Sequence, residues 1–109
     1  MAILMIPFNY RCRAHSLLSV TSGAVVTLDA AKVLHATYGP AQAVMLSIET
    51  AAIRRTMDGT TPTTGAAGVG GILASGDSLL LAGGGNVKNL KMIAVSTTAP
   101  VQVDYFYEK

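Results

Sequence analysis

The sequence is poor in charge. Lys, Arg, Asp and Glu make up 13% of its 109 residues, about half the roughly 25% usual in soluble domains. Disorder needs low hydrophobicity with high net charge. Here half of the residues are hydrophobic and the net charge is only +2, so disorder is excluded. The one cysteine, Cys12, rules out an internal disulfide and a metal site built on paired cysteines. It suits assembly in a reducing cytoplasm. No apolar run approaches the roughly 18–20 residues of a membrane-spanning helix. Met1 to Ile6 is apolar, but no cation precedes it and Pro7 ends it, so it lacks the positive start and longer core of a signal peptide. It reads as a short strand, or as an arm over residues 1–8 that packs on a neighbouring subunit.

Basic stripes are missing too. The eight cations are spread along the chain and interleaved with the six acids, where nucleic-acid binding calls for a basic patch on a recognisable module. Neither a nucleic acid nor a membrane is therefore expected as a partner. What the sequence does have is small residues: 16 Ala, 11 Gly, 7 Ser and 11 Thr account for 45 of the 109 positions. A surface this small and this weakly charged is expected to face other protein subunits.

The apolar pattern has period two with frequent turn signals, which argues for strands and one all-β domain over residues 1–109. Ser16 to Val20 and Ala24 to Leu28 flank Thr21-Ser22-Gly23 and read as a hairpin. Asp29 is placed to cap a short helix from Ala30 to Ala36. Val44, Leu46 and Ile48 alternate with Met45, Ser47 and Glu49; the apolar parity then shifts to odd positions at Ile53, which predicts a β-bulge near Thr50 to Ala52. Arg54 and Arg55 fall on opposite faces, one of them near Glu49. Asp58 to Gly71 is one long Gly/Thr-rich loop, and long loops of this kind are functional or mobile. Gly83 to Asn86 reads as a turn. At the end, Val101, Val103, Tyr105 and Tyr107 share one face while Gln102, Asp104 and Glu108 share the other. Eight or nine short strands separated by turns fit a single antiparallel β-sandwich, jelly roll included.

No catalytic constellation is legible. His15 and His35 sit in no catalytic signature, and Cys12, although flanked by Arg11 and Arg13, reads as a bystander. The Gly68-Val69-Gly70-Gly71 and Gly83-Gly84-Gly85-Asn86 stretches lack the spacing and the Lys-Ser/Thr ending of phosphate loops. The acids are isolated, so no calcium loop or carboxylate pair is expected. The expectation is a protein that is no enzyme, with no cofactor, no metal and no small-molecule substrate. Exposed aromatics would suit a carbohydrate-binding module, but Tyr105 and Tyr107 lie on the apolar face, and Tyr10 and Tyr38 are isolated in sequence.

One series of motifs is familiar. Ile53-Arg54-Arg55-Thr56, Asp58-Gly59-Thr60-Thr61-Pro62-Thr63, Gly76-Asp77, Asn89-Leu90 with Met92-Ile93, and the tyrosine-rich end Val101 to Glu108 follow one another over residues 43–108. In that order they resemble a pattern in small virion structural proteins of tailed bacteriophages. The resemblance implies a β-sandwich building block, a capsid decoration or cement protein made in the bacterial host cytoplasm and carried on the virion surface. Its partners would be the major capsid protein and copies of itself, as a homotrimer, with a neck or tail ring as the alternative position. Candidate subunit-contact residues are Ile3, Leu4, Met5, Ile6 and Phe8 of the arm and Thr61, Pro62, Thr63 and Val69 of the loop. The last strand joins them if it lies at a sheet edge, where it could pair across subunits.

Overall fold

The computed structural model describes residues 10–65 and 67–108. It is 50% strand and 10% helix, and its sheets are antiparallel. The first four-stranded sheet has the order β1 (Tyr10–Val20), β10 (Ala99–Glu108), β5 (Ala43–Ile48) and β8 (Ser78–Ala82). The second has the order β2 (Val26–Thr27), β9 (Lys91–Ala94), β6 (Ile53–Thr56) and β7 (Gly71–Leu73). A two-residue pair, β3 (Leu34–His35) with β4 (Gly39–Pro40), makes a small separate hairpin. The pairing is nested: β1 takes β10, β2 takes β9, β5 takes β8 and β6 takes β7.

β10 organises the core. Val101, Val103, Tyr105 and Tyr107 are fully buried, and Gln102 and Asp104 between them are only half-buried, as a period-two strand with one covered face requires. Val44, Leu46 and Ile48 of β5 meet Ile53, Met92 and Ala94 of the second sheet in the same buried cluster. Buried tyrosines need partners for their hydroxyls. Tyr105 Oη lies 2.9 Å from Ser16 Oγ and accepts from the Asp29 N–H at 3.3 Å, and Tyr107 donates to the Lys32 carbonyl.

Helix α1 (Ala30–Val33) starts as expected: Asp29 Oδ1 accepts from the Ala31 N–H at 3.0 Å. It stops three residues early because Leu34 and His35 pair with Pro40 and Gly39. Helix α2 (Gly84–Asn89) replaces the turn expected at Gly83 to Asn86. Val87, buried to 1% exposure, anchors it, and Asn86 Nδ2 donates back to the Ala82 carbonyl at 3.0 Å; the contact with the core outweighs the poor helix propensity of two glycines.

Two further expectations are corrected. Thr21 to Gly23 is no hairpin turn, because Ser16 to Val20 pairs with Val103 to Ala99 while β2 pairs with β9 in the other sheet. A ten-residue strand offers β1 far more ladder bonds than the short stretch after the turn. Likewise, the parity shift before Ile53 marks no bulge: β5 and β6 belong to different sheets, and the chain changes sheet there. The register does shift in β1, between Cys12 and Ala14.

Candidate docking surfaces

The long loop is folded by one strand residue. Arg54 and Ile93 face each other across β6 and β9, on the face opposite the core residues Ile53 and Ala94. Arg54 is 6% exposed. Its Nε donates to the Gly65 carbonyl at 3.0 Å and its Nη1 to the Gly70 carbonyl at 2.7 Å. A buried guanidinium is tolerated only when its donors are used, and here they draw the two ends of a glycine-rich segment onto the outer face of the sheet. Thr63 clamps the segment from inside: its N–H donates to the Val69 carbonyl, and its Oγ1 accepts from the Val69 N–H at 2.7 Å. Thr64 Oγ1 reaches the Ala94 carbonyl at 2.7 Å, and the Gly65 N–H reaches the Val95 carbonyl at 3.0 Å.

Gly68 is required by this closure. A Cβ there would lie 2.1 Å from the Thr63 carbonyl oxygen and 2.9 Å from Arg54 Nε. Upstream, Asp58 Oδ1 accepts from the Thr60 N–H at 3.0 Å, which holds the Asp58 carboxyl below its ordinary range. Lys91 Nζ donates to the Gly59 carbonyl at 3.1 Å. The loop is therefore a bonded lobe laid on the second sheet.

The candidate contact residues separate accordingly. Thr61, Thr63 and Val69 are exposed, Val69 at 49%. Pro62 is fully buried by its own chain, so that candidate is corrected: its ring is not exposed to a partner. Ile72 on β7, 51% exposed, is a second large apolar side chain left exposed close by in the chain. Sequence reading gave Arg54 no part in the loop and did not count Ile72 among the contact candidates; the signal available was an arginine in an apolar strand just ahead of a glycine-rich stretch. Ile3, Leu4, Met5, Ile6 and Phe8 lie outside the described residues, as does the rest of the 1–8 arm.

The condition set for the last strand is not met. β10 lies between β1 and β5, so both its edges are already paired and it cannot take an added strand. Among the described residues the edge strands are β1 and β8 in one sheet, β2 and β7 in the other. β1 is the longest at 11 residues. Its first half carries Arg11, Arg13 and the register shift, devices that discourage strand addition. Its second half, Ala14 to Val20, carries none of these, and Leu17 there is 60% exposed.

The remaining polar chemistry is structural in form. His15 Nδ1 lies 2.8 Å from Asp104 Oδ1 and Nε2 lies 2.6 Å from Gln102 Oε1, so the imidazolium satisfies both of its donors. The hydrogen bond to Asp104, then that to Gln102, pushes the His15 pKa up. Gln102 Nε2 donates onward to Glu49 Oε1 at 2.9 Å, a partner expected instead to be Arg54 or Arg55. His35 Nδ1 accepts from the N–H groups of Thr37 and Tyr38 at 3.0 and 3.3 Å, closing the β3–β4 turn. Local desolvation and the Asp104 carboxylate push the Cys12 thiol up, so Arg11 and Arg13 do not activate it. Tyr38 is not isolated: its ring packs against His35 and Tyr107, and the Arg13 guanidinium sits 4.9 Å from its centroid. That cation occupies the face a sugar would stack on. Among the described residues no group of three or more His, Cys, Asp or Glu could hold a metal ion, and no helix is long and apolar enough to cross a membrane. Comparison with protein-family models, curated proteins and solved structures finds no match.

Proposed function

We propose that the chain is a non-enzymatic structural protein of a tailed-bacteriophage virion, a capsid decoration or cement protein that bridges neighbouring major capsid protein subunits as a symmetric oligomer. The observation that carries this reading is the pinned loop. Arg54 and Thr63 hold it in one shape while Thr61, Thr63, Val69 and Ile72 remain exposed. A preformed apolar and hydroxyl surface spends little ordering entropy on contact, and its few charges leave little to desolvate. The nested pairing of the strands supports a jelly-roll sandwich as the scaffold, since a long hairpin rolled onto itself pairs first with last and second with next to last. A homotrimer fits a threefold or quasi-threefold position of a shell, and each copy needs roughly 800 Å² of contact to hold specifically. A neck or tail ring uses the same surfaces with a higher rotational order.

The test is occupancy on particles. Purified protein added to capsids that lack it should bind with a fixed stoichiometry and raise their thermal stability. Val69→Asp together with Ile72→Asp should remove binding while leaving the circular dichroism spectrum unchanged. Binding to no capsid, neck or tail particle overturns the reading.

A further inference from the structure

One end of the molecule carries a groove separate from the loop and the β1 edge. It lies between α1 and α2, has a volume of about 730 Å³, and is walled by Leu28, Val33, Leu34, Ala41, Gly85 and Val87. That volume lies within the roughly 300–1,000 Å³ of compact binding sites. Leu34 at its lip is 67% exposed, and among the described residues the one charged side chain on the lining is Lys88. A large apolar side chain left in water at the mouth of an apolar groove marks a surface built to be covered.

The chain holds a segment of matching chemistry. Met1 to Phe8 has no charged side chain, and six of its eight residues (Met1, Ile3, Leu4, Met5, Ile6 and Phe8) are large and apolar. The segment joins the described chain at the groove's end of the molecule. Tyr10 pairs with Glu108, while Gln42 on the groove lining donates its N–H to the carbonyl of Phe106, two residues away. The nine residues before Tyr10 can span at most about 30 Å, comparable with the 29 Å middle dimension of the molecule. No residue of β1 or β10, the strands beside which the segment begins, lines the groove. The segment therefore begins outside the groove of its own copy.

We propose that the groove receives Met1 to Phe8 of a second copy of this chain. Segment and groove are different surfaces, so every copy gives one and receives one. Contacts of that kind are heterologous and close into a ring when the rotation between copies divides a full turn. The inference rests only on the self-assembly in the reading above, and names the surfaces that perform it.

Two single-cysteine chains test it, both with Cys12→Ser. One carries Ile3→Cys or Ile6→Cys, the other Gly85→Cys, a position with nothing within 4 Å of an added Cβ. Oxidation of the mixture should join unlike copies. Leu34→Asp on the Gly85→Cys chain should lower that yield at least tenfold without changing its melting curve, and removal of residues 1–8 should lower the mass measured by light scattering. Absence of the mixed cross-link overturns the proposal. So does a chain carrying both cysteines that closes on itself while the mixture stays unlinked, because the groove then holds its own segment. Cross-linked protein that binds no particle overturns the virion reading alone; particle binding without the cross-link overturns only the proposal made here.

Discussion

The core along β10 and the loop pinned by Arg54 are ordered by opposite means. Along β10, four apolar or aromatic side chains alternate into a buried cluster, and the hydroxyls of Tyr105 and Tyr107 are tied off at its margin. That order comes from burial, at about 25 cal/mol per Å² of apolar surface. The loop puts little apolar surface inward apart from Pro62. Its shape comes from one buried guanidinium, two threonine hydroxyls and a glycine with no room for a side chain. Hydrogen bonds contribute only about 1 kcal/mol each when made, but leaving their buried partners unpaired costs more. A loop held this way is rigid and also brittle.

The largest test of that contrast is Val103→Asp. An ionised carboxylate in the cluster costs roughly 5 kcal/mol, comparable with the whole stability of a small domain. Cooperative thermal unfolding should disappear; a soluble, unaltered protein would show that the facing of β10 is wrong. Arg54→Ala should act on the other region alone. Stripping the Gly65 and Gly70 carbonyls of their donor is expected to cost about 3 kcal/mol. Hydrogen exchange should rise at Gly65, Gly68 and Val69 before it rises in β10, and simultaneous loss of protection in both would refute the independence of the two regions.

Paired glycine substitutions sharpen the point. Gly68→Ala should destabilise by about 1–3 kcal/mol, because the new methyl meets backbone carbonyls that cannot move away. Gly85→Ala in α2 meets nothing and should stabilise by about 0.5–1 kcal/mol. Both are read by denaturant midpoints. Asp29→Ala removes the cap of α1 and is expected to cost about 1 kcal/mol.

The smallest effect lies at the exposed His15. Its pKa in the folded protein is raised from the ordinary 6.5. The stability it adds is thus fully present below about 6.5 and is lost as pH rises through the raised value. An NMR titration of His15 should give a midpoint above 6.5, and Asp104→Asn should bring it down; an unchanged midpoint in that variant would assign the shift to Gln102.

Local patterns were readable to the extent that their causes are local. Alternation from Val101 to Tyr107 is a property of adjacent residues, and it marked the buried face without knowledge of the partners. Asp29 caps through an amide two residues away, so its role was legible too. Misreadings came where a distant contact competed with a local one. The glycines of α2 look like a turn until Val87 finds the core. The residues after Val20 look like a returning strand until β10, eighty residues on, takes β1. Of the docking candidates, Pro62 shows the same limit: composition placed it on a loop, but not beneath it.

What the sequence by itself determined is the material: short period-two strands, one long Gly/Thr segment, a weakly charged surface and the inward face of the last strand. Tertiary structure alone decided that β10 lies inside a sheet, that the parity shift at Ile53 is a change of sheet, and that Arg54 makes a loop into a lobe. Strand periodicity is written within a few residues, but the identity of a strand's neighbour is set by the competition of every edge in the chain for the same backbone hydrogen bonds.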